Sequence, residues 1–257
     1  MRRASTCLAL LGLAVLGMSA TASAAPTITL KGEAVPIPGF PHTGNILGAG
    51  TAFKAVYTIS GTEYGGFPAP LIGVKFYGPA GAKLSPQGFA TCSPTVIEQS
   101  GPSKCSKASQ AGPKGSANGV VSFGTERVSE TLTVQPFFAP GGNLEFFADG
   151  TSPVSIELLS KGNVVSSSPP FGPTVTASVP LVETVPGALD GSAKEISVVV
   201  GAAYKKGGKT HYYLTVPKKC PKGGFPLKTI MEFGNVSNPK EPGEKAEATY
   251  KAPCPKK

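Results

Sequence analysis

The sequence predicts an all-β protein, an antiparallel β-sandwich of the jelly-roll or immunoglobulin-like kind with little helix. Two observations carry this prediction. The 257 residues include 33 Gly and 26 Pro, the two poorest helix formers. Apolar and polar residues also alternate with a period of two along many short segments, which is typical of strands with one buried face. Hydrophobic residues make up 40% of the chain, which is enough to bury a core.

The first 24 residues have the features of a secretory signal peptide. Arg2 and Arg3 precede an apolar run from residue 8 to residue 18, and small residues follow up to Ala24. The run is shorter than the roughly 20 residues that cross a bilayer. We therefore expect cleavage after Ala24 and a secreted, extracellular chain with no membrane span. Residues 25–257 are predicted to form one sandwich domain, and a possible internal boundary lies near 185–193.

About twelve strands are predicted from the alternation, separated by Gly-rich turns. They lie at 27–31, 53–60, 72–77, 120–124, 131–134, 144–149, 154–158, 175–181, 196–204, 212–216, 227–233 and 245–251. Three short Gly-containing segments are predicted to be hairpin turns: Gly141-Gly142, Lys161-Gly162-Asn163 and Gly207-Gly208. One or two helical turns are expected within 93–110.

Removal of the signal peptide takes Cys7 away and leaves Cys92, Cys105, Cys220 and Cys254. An even number of cysteines in an exported chain indicates disulfides, and four cysteines allow three pairings. We favour Cys92–Cys105 with Cys220–Cys254, because both loops are then short. The sequence has neither a C-x-x-C pair nor a His near its cysteines, which are the features that indicate a zinc site. Neither a metal nor a cofactor is therefore predicted.

The positive charge is concentrated in the last quarter of the chain. From Lys194 onwards there are 13 Lys and 5 Glu. Two lysine clusters are the candidate ligand-binding residues, Lys205, Lys206 and Lys209 in one turn and Lys218, Lys219 and Lys222 in the next. Such clusters attract polyanions. Outside a bacterial cell the expected partner is a cell-wall polymer or an acidic polysaccharide, although lysines in turns can also simply keep strand edges unpaired. Nucleic acid is not expected, because no recognition module is present.

His211 and Tyr213 are predicted to share one exposed strand face. Such a face could stack on a sugar ring, which makes an extracellular carbohydrate-binding module the alternative function. A polysaccharide-active enzyme is the less favoured third class. Glycoside hydrolysis needs two carboxylates across a cleft, and the available pairs, Glu126 with Glu130 and Glu145 with Glu157, have the spacing of solvent-facing strand positions. No catalytic residues are predicted.

Two cysteine-centred stretches resemble exported β-rich proteins of high-GC Gram-positive bacteria. One runs from Gly88 to Gly112 around Gly88-Phe89-Ala90-Thr91-Cys92, and the other runs from Leu214 to Phe225-Pro226 and closes at Cys254-Pro255. The resemblance implies an extracellular location and paired cysteines, and it brings no established activity with it. The sequence therefore predicts a secreted, non-catalytic binding or structural protein that is associated with the cell surface or cell wall.

Overall fold

The computed structural model describes residues 25–40, 46–123, 126–185, 188–189 and 191–254. The predicted signal peptide lies outside the described residues. The described chain is mostly antiparallel β-structure, which confirms the all-β prediction. Its strands are β1 (Thr27–Val35), β2 (Gly50–Ser60), β3 (Leu71–Pro79), β4 (Lys83–Leu84), β5 (Gly115–Phe123), β6 (Glu126–Phe138), β7 (Leu144–Gly150), β8 (Ile156–Ser166), β9 (Phe171–Ser178), β10 (Glu183–Val185), β11 (Ala188–Leu189), β12 (Ser192–Val200), β13 (Ala203–Lys206), β14 (Lys209–Tyr212), β15 (Leu214–Thr215), β16 (Phe225–Gly234) and β17 (Pro242–Ala252).

Most strands form where the period-two alternation predicts them. In β1, Ile28 and Leu30 are buried while Thr27, Thr29 and Lys31 are exposed. In β16 every second residue from Phe225 to Phe233 is buried. Successive side chains of a strand point to opposite faces, so each such pattern puts one face of the sheet against a core.

Thirteen of the described strands form one sheet, in the order β17-β16-β3-β9-β8-β7-β6-β5-β12-β2-β15-β4 with β1 also paired to β2. Near one end of this order, β1 packs against β17 from the other end. Ile28 and Leu30 of β1 accordingly share a core cluster with Ala246 and Ala252 of β17. The sheet thus curves around a common interior. The jelly-roll and immunoglobulin-like arrangements stay predictions.

One predicted turn and two predicted strands differ from the structure. Lys161-Gly162-Asn163 is not a hairpin tip but lies inside β8, where Gly162 pairs with Leu144. A Cβ at Gly162 would lie 3.0 Å from the Phe146 ring, so glycine there permits a close approach and not a turn. The strands predicted at 196–204 and 212–216 are each interrupted, the first at Gly201 and the second at Tyr213.

A short helical segment lies between β4 and β5, as predicted. The Ser93 side chain caps helix α1 (Pro94–Ser100) by accepting a hydrogen bond from the Val96 amide. Two 3₁₀ turns follow, at Pro102–Lys104 and Lys107–Ser109. The disulfide Cys92–Cys105 closes this segment. The second disulfide joins Cys220 to Cys254, so both predicted pairings are confirmed.

The predicted boundary near 185–193 falls at the small hairpin of β10 and β11. Strand β12, which begins at Ser192, pairs with β5 and with β2 inside the large sheet. Strands before and after this point thus share one sheet. The number of domains stays a prediction.

Candidate functional site

The first predicted lysine cluster lies at the tip of a two-stranded hairpin formed by β13 and β14. Lys205, Lys206 and Lys209 are all exposed there. Gly207 and Gly208 form the turn, with φ of 57° and 73°, a left-handed conformation that glycine adopts without steric cost. The three ammonium groups therefore project into solvent from a narrow hairpin.

The second predicted cluster lies in the loop between β15 and β16. Lys218, Lys219 and Lys222 are exposed, and the disulfide from Cys220 to Cys254 ties the loop to the end of β17. No Asp or Glu occurs between residues 196 and 231, so no acidic residue of this stretch offsets the charge of either cluster.

His211 is exposed, and its ring stacks on Tyr204 with a centroid distance of 4.8 Å and an interplanar angle of 10°. The Tyr204 hydroxyl donates a hydrogen bond of 3.2 Å to the carbonyl of Gln87. Tyr204 therefore covers one face of the imidazole within the hairpin, and its hydrogen bond to Gln87 joins the hairpin base to the loop before α1.

The expectation that Tyr213 shares an exposed face with His211 is wrong. Tyr213 is fully buried, and its ring packs 4.7 Å from that of Phe138. The strand is interrupted at this residue, because Tyr212 ends β14 and Leu214 begins β15. The alternation on which the prediction relied is therefore broken between the two residues. The sugar-stacking surface built from His211 and Tyr213 does not form.

A large cavity inside the curved sheet is the feature that sequence reasoning missed. Its volume is about 530 Å³, within the roughly 300–1,000 Å³ range of small-molecule sites. The inward faces of β2, β3, β6, β7, β8, β9 and β12 contribute to its wall. The wall is almost entirely aliphatic and aromatic, with members such as Phe53, Val74, Phe76, Leu132, Val134 and Leu158.

A void of this size is unusual in a protein interior, which is normally packed as densely as an organic crystal. Its wall instead exposes apolar surface, and covering such surface is favourable by about 25 cal/mol per Å². An apolar molecule is therefore the kind of occupant that the wall favours.

A few polar groups interrupt the apolar wall. The Glu130 side chain is buried, its Oε2 accepts a hydrogen bond of 3.1 Å from the Val154 amide, and its Oε1 has no partner among the described residues. The hydroxyls of Ser192 and Tyr213 are likewise buried and unpaired within the described chain. Burial raises the pKa of Tyr57 and of Tyr213 above the ordinary tyrosine value, so both hydroxyls stay neutral.

Each of the two candidate carboxylate pairs has one buried and one exposed member. The expectation that all four are solvent-facing is wrong for Glu130 and Glu145, which are both buried. Glu130 lines the cavity, and Glu145 does not. Desolvation raises the pKa of Glu145 from 4.5 to about 7, opposed by the charge of Lys161 and reinforced by that of Glu98. The two buried carboxyl groups therefore lie at different sites.

Comparison with known proteins adds no assignment, since no family model, no curated protein and no solved structure matches the chain. Among the described residues, no group of three or more His, Cys, Asp or Glu side chains could hold a metal ion. None of the described helices has the length and apolar character needed to cross a membrane. The site is therefore defined by the cavity and the lysine clusters.

Proposed function

We propose that this protein is an exported, non-catalytic binding protein that encloses an apolar small molecule in its interior cavity. The single observation that carries the proposal is the apolar volume of about 530 Å³ inside the sheet. Burial of apolar ligand surface contributes about 25 cal/mol per Å² to the binding free energy. The cavity wall has only a few polar groups that could add to this term.

Export is supported by two features of different kinds. The disulfides Cys92–Cys105 and Cys220–Cys254 are typical of an oxidising, extracellular compartment. The first 24 residues have the composition of a signal peptide. We therefore place the working protein outside the cell, as a free or surface-associated chain.

Binding can be tested with N-phenyl-1-naphthylamine, an uncharged dye that becomes fluorescent in apolar sites. The delipidated chain without its signal peptide should give saturable binding at one dye per chain, unchanged by salt. The variant Ala177→Leu places three more carbons at the cavity wall and should weaken binding at least severalfold. The matched control Ala52→Leu enlarges a buried alanine outside the cavity wall and should leave dye affinity unchanged in the folded fraction. Absence of saturable dye binding by the folded wild type would overturn the proposal, as would equal weakening by both variants.

A second proposed role is retention at the cell wall through the exposed lysines. It is supported by Lys205, Lys206 and Lys209 and by Lys218, Lys219 and Lys222, two exposed clusters on an acid-free stretch. The partner would be an anionic wall polymer or an acidic polysaccharide. The carbohydrate-binding alternative loses its support with the burial of Tyr213.

A pull-down on isolated cell walls across a salt series tests this second role. Retention should fade between about 50 and 500 mM salt, because exposed charges are screened over that range. Replacement of either lysine cluster by glutamine should shift the loss to lower salt. A wild-type chain that is not retained even at low salt would contradict the role.

A further inference from the structure

We propose that the ligand of the cavity is an anionic amphiphile, whose apolar chain lies inside and whose carboxylate or phosphate contacts Lys218, Lys219 and Lys222. The proposal rests on the proposed binding function and adds the class and the orientation of the ligand. It brings together the lysine loop and the cavity, which are otherwise separate observations.

The lysine loop begins at the cavity wall, although its three lysines are not themselves part of the lining. Pro217 and Cys254 both line the cavity, and Lys218 and Lys219 occupy the positions between Pro217 and Cys220, the disulfide partner of Cys254. The Gly48 amide donates a hydrogen bond of 3.3 Å to the carbonyl of Pro217. These contacts fix the start of the loop at the cavity wall.

Further lysines lie beside the lysine loop. Lys83 pairs with Thr215 of β15, and a Cβ at Gly223 would lie 3.8 Å from the Lys251 ammonium. Lys83, next to the lining residue Ala82, and Lys251 are exposed as well. The lining also includes Glu33, whose carboxylate lies 4.0 Å from the ammonium of Lys54.

An amphiphile with its charged group at the lysines matches both environments. The apolar chain gains burial free energy inside, while the anion stays at the exposed loop and keeps most of its hydration. The reverse orientation is disfavoured, because it would move the anionic head group from water into the apolar interior, away from the lysines.

Competition with bound N-phenyl-1-naphthylamine tests the proposal. The competitors are dodecanoate, dodecyl phosphate, 1-dodecanol and dodecylamine, which share one chain length and differ in charge. The wild type should bind the two anions roughly tenfold more tightly than the alcohol, as expected of a few solvent-exposed charge contacts, and the amine more weakly than the alcohol. High salt should remove the difference.

Two charge-matched triple variants locate the head group. Lys218→Gln with Lys219→Gln and Lys222→Gln should reduce anion affinity to that of the alcohol and leave alcohol affinity unchanged. Lys205→Gln with Lys206→Gln and Lys209→Gln removes the same charge from the β13–β14 hairpin, none of whose residues lines the cavity, and should preserve the preference. Dye binding by all variants confirms that they are folded.

Failure of this inference differs from failure of the proposed function. Dye binding with equal affinity for anions and alcohol would overturn the anionic ligand and leave the cavity function intact. A preference for anions that survives the loop variant, or that the hairpin variant also removes, would overturn the assigned lysines. A folded wild type that binds neither dye nor any competitor would overturn the proposed function itself.

Discussion

The variant Ala177→Leu distinguishes a real cavity from a filled core by the sign of its effect on stability. Ala177 lies on β9, pairs with Val74 of β3 and Gly162 of β8, and lines the cavity. Three carbons buried in empty apolar space should stabilise the ligand-free protein by about 2 kcal/mol, at about 0.8 kcal/mol per CH₂. In a densely packed core the same carbons would destabilise it by about 1–3 kcal/mol.

The assay is thermal unfolding of the delipidated protein, followed by far-UV circular dichroism because the chain has no Trp. A stabilisation of 2 kcal/mol corresponds to an increase in Tm of about 4–8 °C for a chain of this size. The control Ala52→Leu should lower Tm, because Ala52 is completely buried and the backbone at Gly201 packs directly against it. A decrease in Tm for both variants would refute the cavity.

The remaining predictions concern the buried carboxyl group and the two disulfides. Because the folded pKa of Glu145 is raised from 4.5 to about 7, its contribution to stability should fall as pH rises between these values, by at most about 3 kcal/mol before solvent screening. Glu145→Gln should therefore flatten the dependence of Tm on pH in this window, and parallel profiles for variant and wild type would contradict the assignment. Replacing Cys220 and Cys254 by alanine should cost about 4 kcal/mol in urea unfolding, and replacing Cys92 and Cys105 about 3 kcal/mol, since the sequence separations are 34 and 13. Equal losses, or a larger loss for the shorter loop, would contradict this order.

Local patterns were sufficient to predict most of the fold. The alternation around Ile28 and Leu30 correctly predicted which face of β1 is buried. In a strand with one buried face, the apolar residues recur at every second position and so mark that face. The disulfide pairing followed from the preference for short loops. The turn at Gly207 and Gly208 likewise depends on backbone conformation, which is a local property.

The errors arose where distant residues decide the structure. Gly162 resembles a turn residue in the sequence, and only its packing against the Phe146 ring shows why glycine is required. Tyr213 continues an alternating pattern in the sequence. A break in the strand nevertheless directs its side chain into the core, where its ring packs against Phe138. The burial of Glu130 likewise depends on the bend before β8, since its hydrogen-bond partner Val154 is 24 residues away.

The cavity itself could not be predicted from one sequence. The inward positions of the strands can be read from the pattern, but the volume that they enclose depends on how far the sheet curves. Small inward residues such as Ala148 and Ala177 were the available signal. Alanine at such positions is equally common where two faces pack closely, so the residue type alone does not distinguish a void from a tight contact.

A crystal structure of the delipidated protein under xenon pressure tests the central claim most directly, because xenon enters apolar cavities that exclude water. We expect xenon atoms inside the sheet, beside Phe76 and Leu158 on the cavity wall. The same structure of Ala177→Leu should show less xenon near β9. An interior filled by side chains, with no xenon bound between the strands, would contradict the account.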